Sequence, residues 1–369
     1  METGPTKLPR LMALFDRKID GDDSLLRLAS LRFKQAGLGP EFYAETPAEL
    51  NRLMNFKPAP ESPTVVHLHR TIDLLEEASQ RLILDFALRF AGRVYGLVIH
   101  DQLDIVTRFD DYVAALWQVD ARLSKIEGSP YLFVEYAAGL EPERFIEIFK
   151  SSRDLERICG CIDTGHIGLW QVRVAYSRQR PGEDVFSLSP NHPKLSESIE
   201  DLEEAVCSAI IVVLDAIEAF RHFGKPLHLH LHDAHPLSDS SPFGISDHLS
   251  FLDEIPIPFE RNGKRSLTPM FGPTGLKKIV VGSLQAVGPD GMSITLEIHP
   301  VEGRLRLGDA SYLFDHWVDK TNAERMNHWL SVILRNQQHV LSATNQSLVT
   351  NFGSARGRSH GANRKDDRL

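Results

Sequence analysis

Apolar positions along this chain switch between two periods, and the switches mark out its elements. Spacings of three and four mark helices. Leu202, Val206, Ile210, Val213, Ile217 and Phe220 share one helical face. The stretch Ser198-Ile199-Glu200-Asp201 in front of them reads as a capping box with Ser198 as the cap. Gly224 and Pro226 end the helix. A second helix is predicted from about Thr71, carrying Leu75, Ala78, Leu82, Phe86 and Phe90 before Gly92. A third begins at Asp110-Asp111 and carries Tyr112, Ala115, Leu116, Val119 and Leu123 before Gly128-Ser129-Pro130.

Short apolar runs of strand length lie between these helices. Six are clear: Thr64–His69, Tyr95–His100, Tyr131–Tyr136, Ile158–Asp163, Leu227–Asp233 and Ser293–Ile298. Two weaker runs lie near Leu11–Phe15 and Glu41–Tyr43. Strict alternation of strand and helix predicts a parallel sheet with helices outside it, and eight units predict closure into a (β/α)8 TIM barrel. A doubly wound open sheet is the alternative, but no G-x-G-x-x-G follows the first strand. Tyr312–Leu341 reads as one or two extra C-terminal helices packed on the barrel. The single barrel domain is therefore expected over residues 1–343. The polar, aperiodic segment 344–369, locally basic through Arg356, Arg358, Arg364 and Lys365, reads as a disordered tail.

Composition narrows the function. Hydrophobic residues make up 42% and charged residues 25%, enough for a full core. A formal net charge of −9 argues against a broad phosphate-binding surface. Cys159, Cys161 and Cys207 form neither a disulfide framework nor a zinc-ribbon spacing, which suits a reducing compartment. Leu11–Phe15 is too short for a secretory apolar region, and no run is long enough to span a membrane. The expectation is a cytoplasmic protein with no membrane partner.

The chemistry sits at the strand ends. His67 and His69 close the third strand, His100 the fourth and Glu135 the fifth. Asp163, with His166 three residues on, closes the sixth; His230, His232 and Asp233 close the seventh, and Glu297 the eighth. All strand C-termini of a parallel barrel emerge on one face, so these imidazoles and carboxylates converge there. Such a mixture suits a divalent metal: zinc or manganese, or magnesium where carboxylates dominate. Alternation agrees. In LHLHLHD the leucines share one face and His228, His230 and His232 the other, and Glu297 points opposite to Leu296 and Ile298. Taken singly, His69, His228 and His299 read equally well as core histidines, Cys159 and Cys161 as small core fillers, and Asp233 as the start of a turn. Phe271–Lys278 reads as a proline and glycine helix entry, or as a helix N-terminus able to hold a phosphate.

VEYAAG, CIDTGH, HLHD, DHL and LEIHP, in that order over roughly residues 60–300, resemble the strand-end motifs of the xylose-isomerase-like barrel superfamily, which includes sugar phosphate isomerases and epimerases and the endonuclease IV group (AP endonuclease family 2). The resemblance implies metal ligands at Glu135, Asp163, His230 and Glu297. It makes His166 similar to a histidine that contacts substrate in the isomerases and a further metal in endonuclease IV. His67, His100 and His248 are similar to the extra histidines of the trinuclear endonuclease site. The chain departs from the endonuclease pattern at Ser246, where an aspartate would stand, with Asp247 next to His248. It also departs in LSFLDEIPIPFE, which replaces a glycine-rich turn.

Two reactions follow. As a sugar isomerase or epimerase, the protein would bind a metal and a small sugar-like substrate, with Glu135 and Glu297 moving the proton and His166 orienting a substrate oxygen. As a phosphodiesterase resembling endonuclease IV, it would act on abasic DNA, and nucleic acid is a partner only in that case. The acidic charge and Ser246 favour the first; the retained His67, His100, His166 and His248 favour the second. A non-catalytic barrel used for binding would be expected to have lost one of the four shared ligands, and none is missing. A homo-oligomer is compatible with either reaction. The 236–270 segment links the seventh strand to its helix and is expected to cover the pocket.

Overall fold

The computed structural model describes residues 8–15, 22–188, 193–234, 240–241, 244–245, 258–261, 264–267, 270–298 and 321–358. Eight strands form its centre: β1 (Arg10–Leu14), β2 (Gly39–Ala44), β3 (Val65–Leu68), β4 (Gly96–His100), β5 (Tyr131–Glu135), β6 (Ile158–Asp163), β7 (Leu227–Leu231) and β8 (Met292–Leu296). All pair in parallel, in the closed order β1-β8-β7-β6-β5-β4-β3-β2. The chain is a (β/α)8 barrel. The two weak runs of the sequence are its first two strands, and the open-sheet alternative is excluded by the pairing of β1 with β8.

The pleat sorts side chains into two cores. Leu97, Ile99, Leu132, Val134, Ile158, Ile162, Leu227, Leu229, Leu231, Ile294 and Leu296 pack with the surrounding helices. Met12, Val65, Val98, Phe133, Cys159 and Cys161 form a separate cluster within the barrel, with Tyr95 and Tyr131 against it. Both buried cysteines are thus interior fillers, and all three cysteines are free. The helices are α1 (Asp23–Ala36), α2 (Pro47–Leu53), α3 (Glu77–Phe90), α4 (Phe109–Leu123), α5 (Pro142–Ser151), α6 (Thr164–Gln179), α7 (Leu195–Phe220), α8 (Gly272–Gly291) and α9 (Asn322–Arg358). Among the described residues, no helix is long and apolar enough to cross a membrane.

Three local expectations are corrected. Ser198 is not a cap: α7 starts at Leu195, and the Ser198 hydroxyl donates to the Lys194 carbonyl one turn back, an alternative open to any helical serine. Asp201 instead pairs with Arg180 at 2.6 Å. The helix expected from Thr71 starts at Glu77, because Asp73 accepts the Leu75 N–H at 2.9 Å and holds a turn there. At the C-terminus, α9 continues past residue 343 to Arg358, where composition alone placed the tail. No glycine or proline occurs between Asn322 and Phe352 to stop it. Val340, Ala343 and Thr344 are buried, and the Thr344 hydroxyl donates to the Val340 carbonyl. Within the 236–270 segment, Ser240–Ser241 pairs with Gly244–Ile245 and Pro258–Arg261 with Lys264–Leu267, both antiparallel. Ser246, Asp247, His248, His299 and residues 359–369 lie outside the described residues.

Candidate metal centre

Strand register brings the polar ends together. Asp163 on β6 and Thr295 on β8 both stand beside His230 on β7, and His100 on β4 stands beside Glu135 on β5. Glu135, Asp163, His230 and Glu297 are all buried, and each offers one ligand atom within 4.8 Å of the others. His67 and His100 adjoin them, forming a further group with Glu135. The His67 Nε2 lies 2.9 Å from Glu135 Oε2 and 3.3 Å from His100 Nε2. His166 falls in a third group with Asp163 and His232. His69 stays apart from this centre, hydrogen-bonded to the Thr71 hydroxyl at 2.8 Å.

His230 shows whether these residues suit a cation. It is fully buried, with Nδ1 at 2.9 Å from Glu297 Oε2 and 3.3 Å from Glu135 Oε1, and Nε2 at 3.1 Å from Glu41 Oε1. Neither ring nitrogen makes a well-directed hydrogen bond in spite of these distances. One imidazole and three carboxylates whose ligand atoms converge within 4.8 Å fit a divalent ion, and a buried polar cluster of this kind is costly without a cation or a proton to balance it. The surrounding charges are strongly coupled. Burial works against the ionised Glu135, but His230 and His100 beside it hold its carboxyl well below the usual range. Burial also works against protonated His230, which Cys161, Glu297, Glu41 and Glu135 raise well above 6.5. Burial pushes His100 down to about 4, leaving a neutral ring with a lone pair to offer.

Two contributors, Glu41 and Tyr43, escaped the sequence reading, while the sequence places His232 inward at the end of the seventh strand. Glu41 on β2 reaches under His230; it also lies 3.3 Å from His228 Nε2 and accepts the Thr295 hydroxyl. Tyr43, two residues on, stacks on His67 with centroids 4.4 Å apart and donates to Glu297. Burial, then Glu297, keep its phenol protonated. His232 lies 2.8 Å from Asp163. Alternation alone could have placed Glu41 and Tyr43 inside, since Phe42 and Ala44 face the helices. Two neighbouring carboxylates are structural. Asp101 accepts the N–H groups of Ala137 and Ala138, fixing the turn after Glu135. Asp233 accepts those of Ala234, Phe271 and Gly272, so the start of α8 is already satisfied by a carboxylate and the helix-entry reading of Phe271–Lys278 is the better one.

Fold and site together define a closed parallel barrel whose strand ends gather buried His/Glu/Asp groups able to hold a metal ion. The order Glu, Asp, His, Glu on β5, β6, β7 and just after β8 is the one the xylose-isomerase-like resemblance implies. No protein-family model and no curated relative matches the chain. Among solved structures, it is similar to the TTHB071 protein from Thermus thermophilus soaked with ZnCl2, at 16% identity and a TM-score of 0.42, over 85% of this chain and 100% of that one. It is also similar to beta-D-glucuronidase from Dictyoglomus thermophilum, at 10% identity and a TM-score of 0.38, over 86% of this chain and 51% of that one. Likeness this distant says nothing of function, and the fold assignment rests on the strand order itself.

Proposed function

We propose that this barrel is a divalent-metal-dependent isomerase or epimerase of a sugar or a related small polyhydroxy carbonyl compound. The observation that carries the reading is the pair of buried glutamates, Glu135 and Glu297, that approach one histidine nitrogen from strands with β6 and β7 between them. Glu135, Asp163, His230 and Glu297 would hold a divalent ion, which would supply the Lewis acidity needed to polarise a substrate carbonyl and acidify the neighbouring C–H. One glutamate then takes the proton and the other returns it, so that return to the opposite face inverts the carbon and return to the neighbouring carbon shifts the carbonyl. Tyr43, donating to Glu297, sets the direction in which that carboxylate points. His166, on the first turn of α6 and slightly open at 7% exposure, orients a substrate oxygen.

The test is solvent isotope exchange. Metal-loaded protein in deuterium oxide, offered a panel of sugars and sugar phosphates, is expected to incorporate deuterium beside the carbonyl. Glu135→Gln and Glu297→Gln are expected to abolish exchange while the circular dichroism stays unchanged. A chelator is expected to abolish exchange and added metal to restore it. Undiminished exchange in either variant would sink the reading. One observation favours a second reading, phosphodiester hydrolysis of the endonuclease IV kind: His67, His100 and Glu135 form a group sharing Glu135 with the first, as a two-ion phosphodiesterase needs. Cleavage of an abasic oligonucleotide without any exchange would select it.

A further inference from the structure

The outer face of α4 has no part in the barrel. Tyr112, Ala115, Leu116, Val119 and Leu123 turn inward and are buried. On the other side Trp117 stands 47% exposed halfway along the helix. The exposed Ala114 and Ala121 flank it, with exposed Asp110 and Asp111 at one end and Arg122 and Lys125 at the other. We propose that two copies of this chain associate through this face, their α4 helices antiparallel about a two-fold axis that passes between Trp117 and Gln118.

The order of residues along the face carries the proposal. A two-fold axis needs a self-complementary surface, because the same patch meets itself. Steps of about 100° per residue put Asp110, Ala114, Ala121 and Lys125 on one line along the helix, within about 60° of one another. That line reads acid, small, small, base. Asp110 and Lys125 lie equally far from its midpoint, and so do Ala114 and Ala121. A half-turn there sets Asp110 against Lys125 of the second copy and Ala114 against its Ala121, where short side chains let the two helices approach closely. Asp111 and Arg122 share one flank, and in opposite copies they come within about 3 Å of the same height. The two Trp117 rings share the other flank and meet at the axis.

Charge and shape select a second copy over other partners. The chain carries −9 overall, so two copies repel in most orientations. This face is neutral, with two aspartates against one arginine and one lysine. Among the described residues, Asp110, Arg122 and Lys125 make no ion pair inside the chain, and Asp111 pairs with the exposed Arg108 at 3.6 Å. An anionic membrane surface would call for a basic excess that the face lacks. Beside Trp117 opens a hollow of about 440 Å³, lined by Phe109, Asp110, Val113 and Ala114 and, from α5, Ser151. It lies on the tryptophan flank and so receives the Trp117 ring of the second copy. A tryptophan at the centre of an interface, ringed by polar contacts that exclude water, supplies much of the binding energy of such a contact.

The experiment is sedimentation velocity of untagged, full-length protein from about 1 to 100 μM, the weak end of the range for a small interface. Wild type is expected to move from monomer to dimer as concentration rises. Trp117→Glu is expected to weaken dimerisation about a hundredfold or more with unchanged circular dichroism. Asp110→Lys sets lysine against Lys125 of the second copy, and Lys125→Asp sets acid against Asp110; each is expected to weaken dimerisation about tenfold. The double variant Asp110→Lys/Lys125→Asp is expected to return to the wild-type value, because only the antiparallel register restores both pairs. These two positions are exposed and carry the test alone should Trp117→Glu fail to fold. A wild type that stays monomeric throughout would overturn the proposal and leave the face to another partner. A dimer that Trp117→Glu leaves intact, or a double variant as weak as the single ones, would overturn it as well.

Discussion

Replacing Glu41 with glutamine removes the negative charge beneath the centre while keeping the side chain's shape. Glu41 is fully buried, 3.1 Å from His230 Nε2 and 3.3 Å from His228 Nε2. Burial alone would raise its pKa, but His230 and then His228 outweigh it and hold the carboxyl at about 2 against an ordinary 4.5. A difference of that size is worth about 3 kcal/mol to the folded state at neutral pH, in line with the ~3–5 kcal/mol for breaking a buried ion pair. The folded pKa is depressed, so the contribution is complete above 4.5 and disappears as pH falls towards 2. Metal-free E41Q is therefore expected to be about 3 kcal/mol less stable than wild type at neutral pH, narrowing to about 2 kcal/mol near pH 3.5. Urea unfolding with a chelator present, followed by fluorescence of the four tryptophans, measures both values. With metal present, loss of the contact that steadies the His230 ring is expected to weaken zinc binding by about 10–100-fold. A stability loss below about 0.5 kcal/mol, the size of an ordinary surface substitution, or a loss that does not change with pH, would refute the reasoning.

Three further substitutions test the scaffold. Burial pushes Asp101 up to about 7 even though it accepts two backbone N–H groups, so wild type loses stability as pH rises from 3.8 through about 7. D101N keeps an acceptor without the charge, and its melting temperature relative to wild type is expected to rise between about pH 5 and about pH 8; a constant difference would contradict this. A Cβ at Gly39 would stand 1.8 Å from the Pro63 carbonyl oxygen, where β2 enters the barrel. G39A is expected to abolish soluble expression, and a well-folded variant by circular dichroism would show that the strand can shift. Trp329 is 2% exposed and lies 5.7 Å from the Phe33 ring, so α9 is docked on α1. W329A is expected to cost about 3–5 kcal/mol in urea unfolding; a change below about 0.5 kcal/mol would mean that α9 contributes nothing to the fold.

The barrel was legible because most of its strands are uniform in one respect: their helix-facing positions are aliphatic and their ends are punctuated. Ile158–Asp163 has the same bounds in sequence and structure. The first two strands were faint for opposite reasons. Arg10–Leu14 is apolar nearly throughout and shows no alternation, while Gly39–Ala44 opens on Gly-Pro and carries a carboxylate, features that count against a strand. Tertiary context overrides both, since β1 closes the barrel against β8 and the Glu41 carboxylate meets histidines. Helix starts were less legible than helix faces. A serine three residues before an acid suits a cap and a first turn equally well, and only the Lys194 carbonyl above Ser198 decides between them.

The same distinction explains the site. Glu135, Asp163, His230 and Glu297 stood out because each sits at the end of a strand recognisable on its own, and parallel closure then brings such ends together whatever their sequence distance. Glu41 was missed because its partners, His228, His230 and Thr295, reach it only through closure: β1 and β8 separate β2 from β7 in the sheet, and no periodicity encodes a contact across the barrel interior. Yet the alternation that turns His230 inward also turns Glu41 inward once Gly39–Ala44 is accepted as a strand. An inward carboxylate two residues before an inward tyrosine has nowhere to go but a cation, an imidazole or a hydroxyl. In this barrel Glu41 meets the last two at once, the imidazoles of His228 and His230 and the hydroxyl of Thr295.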